Sequence, residues 1–347
     1  MVGVRVHGEE IRTYILENVE KHPRDIARRT AEKFGITRQA VNKHLKRLLA
    51  EGALVESGRT RNRTYRPASL AQWTKIYPIA PGLEEGAVWF HDIKPHFEPL
   101  PANVIDIWQY GFTEMFNNAI EHSNGQSITV NIEKGAAAIR ILVLDDGIGI
   151  FKKIQNALGL LDERHAVLEL SKGKLTTDAK RHSGEGIFFT SRLFDEFGIF
   201  SGNVVFRHQF GEKRDWIMEP DQWRQGTAVY LQLSNHSVRT TREIFDAFTT
   251  GSDYGFDKTS VPVRLAREGD ENLISRSQAK RLLARLELFQ TIVFDFAGVE
   301  MIGQAFADEI FRVFAREHPR MELLAINAGA DVQKMISRAK AATAPAD

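Results

Sequence analysis

The chain has 347 residues, with 46 Lys and Arg against 45 Asp and Glu and a 43% hydrophobic content, enough for two or three domains that each bury a core. A charged fraction of 26% at net charge +1 excludes a wholly disordered polyelectrolyte, and the absence of cysteine excludes disulfide scaffolds, cysteine-bound zinc, iron–sulfur clusters and a thiol nucleophile. No run of about 18 apolar residues reads as a membrane span and the first residues lack a signal-peptide pattern, so a cytoplasmic protein with no membrane partner is expected.

The near-neutral total hides an asymmetry. Residues 1–70 hold 15 Lys and Arg against 8 Asp and Glu, a net +7, which leaves −6 for the rest. Ile11, Tyr14, Ile15 and Val19 recur at helical spacing and stop before His22-Pro23. A second helix is expected from about Pro23 to Phe34, stopped by Gly35. Thr37 is a fitting N-cap for a third helix through about Ala50. Ala40, Val41, Leu45, Leu48 and Leu49 make its inner face, and Arg38, Gln39, Asn42, Lys43, Lys46 and Arg47 stay outside. Leu54-Val55 and Thr64-Tyr65 read as two short strands around a tip that holds Arg59, Arg61 and Arg63. This order resembles a winged helix-turn-helix of the bacterial regulator type. The resemblance implies DNA as a partner. Arg38, Gln39, Asn42 and Lys43 would meet base edges in the major groove, and Arg59, Arg61 and Arg63 would meet phosphates or the minor groove. The competing reading is a protein-contact module with a solvated basic face. Residues 68–82, with two prolines and a terminal glycine, read as a linker or docking strand.

The next periodic segment is Asn103–His122, where Val104, Ile107, Trp108, Phe112, Met115, Phe116, Ala119 and Ile120 make a broad apolar face. Glu114, Asn118 and His122 stand four apart in one polar stripe of that helix. Two strands follow, Ser127–Ile132 and Ala138–Leu144, the second running into Asp145-Asp146-Gly147-Ile148-Gly149. Glycines after an acidic strand end let backbone approach a ligand closely. Gly184-Glu185-Gly186 then opens a helix, whose free amides suit phosphate oxygens, and Gly226-Thr227 starts a later strand.

These four elements in this order resemble the GHKL (histidine kinase-like) ATP-binding domain over residues 84–234. The resemblance implies ATP and Mg²⁺ as cofactors. Asn118 would ligate Mg²⁺, Asp145 would accept from the adenine amino group, and Gly147 and Gly149 would leave room for the nucleotide. Gly184 and Gly186 would face phosphate, Thr227 would support the adenine end, and His122 belongs to the same motif. Glu114 sits where the family places the residue that polarises an attacking water or hydroxyl. The family's ATP lid lies between Gly149 and Gly184, so Lys172, Lys174 and Thr176 are expected to close over the triphosphate, against the alternative of solvated side chains. No phosphoacceptor-histidine helix pair precedes the domain, which argues against an autophosphorylating histidine kinase.

Residues 235–257 are polar and read as a second linker with one helix around Arg242–Phe248. Beyond it, strands at 261–265, 290–296 and 321–326 alternate with helices at 275–288, 304–316 and 332–339, an α/β layer. Thr291–Glu309 resembles a STAS domain, closest to the STAS-like domains of unknown function fused to GHKL domains. Where related anti-anti-sigma proteins carry a phosphorylated serine, this chain has Gly303-Gln304-Ala305. The domain, 258–342, is therefore read as an interaction or homodimerisation element, against a plain packing domain.

The expected fold is multidomain α+β: a winged helix over 1–70, a linker over 71–83, a GHKL α/β sandwich (the Bergerat fold) over 84–234, a linker over 235–257 and the STAS-like domain. The expected function is an ATP-responsive DNA-binding regulator. The alternatives are an anti-sigma-type serine/threonine kinase acting on a partner and a scaffold with structural ATP.

Overall fold

The computed structural model describes residues 2–58, 62–175, 184–211, 216–218, 224–249, 256–267 and 272–341. The N-terminal unit consists of α1 (Val2–Asn18), α2 (Ile26–Phe34), α3 (Arg38–Ala50) and an antiparallel hairpin of β1 (Leu54–Ser57) and β2 (Thr64–Pro67). Pro23 lies in the turn before α2 rather than in its first turn, and Gly35 ends that helix in the left-handed region at φ 63°. Thr37 caps α3 by accepting from the Ala40 N–H at 3.2 Å. Ile11, Ile15, Val19, Ile26, Val41, Leu45, Leu48 and Leu54 form one buried cluster. Ala137 of the next unit joins it, and Arg140 pairs with Glu20 at 2.5 Å, so this unit docks on the central sheet.

That sheet has seven antiparallel strands: β3 (Ser69–Pro78), β4 (Ser127–Gly135), β5 (Ala138–Asp145), β6 (Glu196–Gly202), β7 (Val204–Gln209), β8 (Trp216–Met218) and β9 (Arg224–Ser234). Their spatial order is β3-β4-β5-β9-β6-β7-β8. Residues 69–78, expected in a linker or docking strand, are a ten-residue edge strand that pairs with β4 from Ser69↔Gly135 to Pro78↔Ser127. As an edge strand it lets Pro78 end the ladder without loss of a central bond. β4 and β5 alternate buried and half-exposed residues, the signature of a sheet covered on one face. The cover includes α4 (Glu85–Val88), the π- and 3₁₀-helical turns 89–97 and the long α5 (Ala102–His122). Trp89, Trp108, Phe112 and Phe116 from these helices pack on Ile128, Val130, Ile141 and Leu231 of the sheet. α6 (Ile150–Leu158), α7 (Glu163–Lys172) and α8 (Gly186–Leu193) complete the layer.

The expected second linker holds α9 (Thr241–Asp246), closed by a capping box between Thr240 and Glu243. The last unit is a parallel sheet in the order β10-β11-β12, from Lys258–Pro262, Thr291–Asp295 and Glu322–Ile326. The expected strand at 261–265 instead ends at Pro262, and Val263–Ala266 forms a 3₁₀ turn. The expected helix 275–288 is α10 (Arg276–Leu283), capped by Ser275 and broken by Arg285 at φ 63° before a 3₁₀ turn. α11 (Gln304–Asp308) runs through a π-helical stretch into α12 (Ala315–Glu317), and α13 (Ala330–Ala341) closes the unit.

Candidate functional site

A cavity of about 320 Å³ opens between α5, the end of β5, the starts of α6, α8 and β9, and the C-terminal end of α7. One helix face supplies Glu114, Asn118 and His122, because residues four apart on α5 share a stripe and the apolar face of that helix is committed to the sheet. Asp145 enters from the end of β5. It is 8% exposed, and its Oδ1 accepts from the N–H of Gly147 at 2.9 Å and of Thr227 at 3.1 Å. Burial lifts its carboxyl above the ordinary range, and the two amides and Thr227 pull against that rise.

The glycines around Asp145 are required by contact. Gly226 sits at φ 72°, and a Cβ there would overlap the Asp145 carbonyl. A Cβ on Gly147 would overlap the Ser123 carbonyl at the end of α5, so the loop after β5 lies directly against that helix. Thr227 ties the region together from β9, since its Oγ1 accepts the Ile150 N–H at 3.0 Å. The adjacent Asp146 has a different task. Its Oδ1 accepts from the amides of Gln126 (2.7 Å) and Ser127 (3.1 Å), and these bonds, the Ser127 amide first, hold its carboxyl below the ordinary range.

At the other end of the cavity, Gly184, Glu185 and Gly186 lead into α8, and a Cβ on Gly186 would overlap Glu114 Oε2. The Glu114 carboxylate therefore lies beside the first turn of that helix. The tyrosine one turn earlier, Tyr110, has its phenol pushed up by burial and by the charges of Glu114 and Glu185.

The structure thus brings Glu114, Asn118, His122, Asp145, Gly184, Gly186 and Thr227 to one cavity, with Gly147 and Gly149 in its adjoining loop. Lys174 is a correction. Its Nζ donates to the Leu288 carbonyl at 2.9 Å and lies over the Phe289 ring, in the C-terminal unit and away from the cavity. Lys172 also points there, buried against Glu169 and donating to the carbonyls of Arg281 and Ala284. Thr176 lies outside the described residues, as do Arg59 and Arg61. Lys153 was not anticipated. It reaches the cavity from α6, donates to the His122 carbonyl at 2.8 Å, and has its pKa lowered by burial. Glu185 and Ser123 also line the cavity without having been singled out.

In the N-terminal unit, Arg38, Gln39, Asn42 and Lys43 are exposed on α3 opposite its buried Val41 and Leu45. Arg63 faces Glu56 across the hairpin at 3.4 Å, an exposed pair that solvent screens. Among the described residues no cluster of three His, Asp or Glu side chains is placed to hold a metal ion. Among them, too, no helix is long and apolar enough to cross a membrane.

Residues 87–205 match the family model of the histidine kinase-like ATPase domain, and residues 278–333 match that of a STAS-like domain of unknown function. No curated protein matches the chain. Glu114, Asn118, Asp145, Gly147, Gly149, Gly184 and Gly186 all fall inside the first matched segment, whereas Thr227 lies beyond it. The chain therefore contains a histidine kinase-like ATPase domain followed by a STAS-like domain.

Proposed function

We propose that the chain is a regulator whose DNA binding responds to Mg²⁺-ATP held in the cavity between α5 and α8. The observation that carries the nucleotide part is the buried Asp145 carboxylate in a wall whose neighbouring glycines admit no side chain. A buried acceptor matched to a ligand amino group discriminates strongly, because a ligand without that donor leaves it unpaired. Asp145 would receive the adenine amino group, with Thr227 fixing its orientation. Asn118 is an uncharged oxygen donor, which suits a Mg²⁺ ion whose other ligands are phosphate oxygens and water. The amide at Gly184 lies just before α8 and that at Gly186 opens it, where the helix end favours negative charge. The bound nucleotide would supply a transferable γ-phosphoryl group, and Glu114 would orient and polarise the water or hydroxyl that attacks it.

The DNA part is supported by the +7 charge of residues 1–70 and by the exposed face of α3 that carries Arg38, Gln39, Asn42 and Lys43. Arg59, Arg61 and Arg63 would add phosphate contacts from the hairpin. The STAS-like domain would serve a protein interaction, with a second copy or with another protein.

Calorimetric titration of the full chain with Mg²⁺-ATP tests the first part. Fluorescence anisotropy on duplexes selected from a random pool, with and without Mg²⁺-ATP, tests the second. Saturable ATP binding and a several-fold nucleotide effect on DNA affinity are expected. Radiolabel from γ-phosphate found on a separate protein would assign kinase chemistry instead of hydrolysis.

A further inference from the structure

Two helices that wall the cavity have their other faces buried toward the C-terminal unit, α7 directly against the STAS-like domain and α8 against the segment that precedes it. On α7, Leu170 lines the cavity and belongs to the ATPase-domain core, while Leu168, two residues earlier, belongs to the C-terminal core. On α8, Gly186 and Ile187 line the cavity, while Phe188 and Phe189 pack at a tilt against Phe256 at ring-centroid distances of 4.5 and 5.0 Å, and Phe256 in turn meets Phe289 of the STAS-like domain edge-on at 5.3 Å.

The polar contacts concentrate on the last turn of α7 and the residues after it. Thr259 Oγ1 of β10 donates to the Lys172 carbonyl at 2.6 Å. Arg285 donates to the Lys174 carbonyl at 2.5 Å and to Glu169 at 3.1 Å, and Lys174 donates to the Leu288 carbonyl at 2.9 Å. Glu169 is a buried carboxylate that bridges Lys172 of its own helix and Arg285 of the other domain. Leu175, next in sequence, turns back to the cavity, and its N–H donates to the Gly184 carbonyl at 3.2 Å. A few residues therefore separate a contact with the STAS-like domain from the cavity wall at the end of α7, and the Phe256 ring links that domain to α8.

We propose that the STAS-like domain is the internal partner of the nucleotide site: by holding Lys172–Lys174 directly and α8 through Phe256 it pre-organises the cavity, and bound nucleotide in turn tightens its docking. This inference rests on the ATP-site reading above. Pre-organised walls spare a ligand the cost of ordering them. Linkage makes the effect reciprocal, so whatever factor docking adds to nucleotide affinity, nucleotide adds to docking. The STAS-like domain reports nucleotide occupancy through packing and hydrogen bonds, which suits a chain whose residues 303–305 carry no hydroxyl.

The test uses the full chain, a non-hydrolysable ATP analogue with Mg²⁺, calorimetry and amide hydrogen exchange. Lys174→Met keeps the stem over Phe289 and removes one interdomain bond, and Arg285→Gln removes the guanidinium. Lys174→Met, the milder change, keeps the test decisive where Arg285→Gln fails to fold. The analogue is expected to slow exchange in residues 258–262 and 276–288 of wild type several-fold, and Lys174→Met is expected to bind it about five-fold more weakly or worse. Tight analogue binding with unchanged exchange in those segments, and equal affinity in the variants, would overturn the coupling and leave the ATP site standing. Absence of analogue binding to wild type would overturn the ATP reading itself and this inference with it.

Discussion

Thr227 donates its backbone N–H to Asp145 Oδ1 at 3.1 Å across 82 residues of sequence. The same threonine accepts the first amide of α6 through Oγ1. One residue of β9 thus orients the buried carboxylate and anchors the helix that brings Lys153 to the cavity. Asp145 is fixed before any ligand arrives, which is what a discriminating acceptor needs.

Gly226→Ala should show how tightly that corner is built. At φ 72° an alanine pays about 1–2 kcal/mol for the left-handed backbone, and its Cβ also overlaps the Asp145 carbonyl. Gly35→Ala, at φ 63° with open space around it, pays only the backbone part. Urea unfolding of both variants should place Gly226→Ala well below Gly35→Ala. Equal losses would mean that the β9 start relaxes freely.

Asp145 also carries a pH signature. Its folded pKa is raised by burial above the ordinary 3.8, so the native state holds its proton more tightly than the unfolded chain does. That contribution is full below the unfolded value and is lost as pH rises through the folded one. Asp145→Asn should therefore gain stability over wild type as pH rises from 3 toward 7. Thermal melts of both proteins across that range check the sign.

Much of this site is legible in the sequence for physical reasons. Glu114, Asn118 and His122 stand out because a helix repeats every 3.6 residues and three polar side chains in one row are anomalous on so apolar a helix. Asp145 and its glycines stand out because a strand end that needs close approach leaves a compositional mark. Lys153 left none, since its acceptor is a backbone carbonyl of another helix. Lys172 and Lys174 were expected over the phosphates because their charge suits that role, but charge does not say which side of α7 faces which domain. For residues 68–82 the sequence leaves a linker and a docking strand both open, because an edge strand shows no clean alternation, and eight of the ten residues of β3 are exposed. α10 ends early because Arg285 takes a left-handed conformation that no pattern of apolar residues announces.

Glu114→Ala should separate chemistry from binding. In the proposed function its role concerns the attacking group, so ATP affinity should stay within a few-fold while any single-turnover hydrolysis slows by about 10²–10⁴. Turnover equal to wild type would assign the base elsewhere.

On α3, Gln39→Ala or Asn42→Ala should relax sequence preference at one or two base pairs by about 1–3 kcal/mol. Arg63→Ala should instead weaken binding to all sequences and make the salt dependence shallower by about one unit. Anisotropy titrations at two salt concentrations distinguish the two behaviours. Full-length protein without DNA affinity at low salt would assign the N-terminal unit to protein contacts.

The most direct test of the central claim is calorimetric titration of wild type and Asp145→Asn with Mg²⁺-ATP. Asparagine retains an oxygen for the Gly147 and Thr227 amides but also presents an NH₂ donor in place of a carboxylate oxygen. The account predicts saturable binding to wild type and a loss of at least 100-fold in the folded variant. Equal affinity of the two proteins for ATP would contradict it.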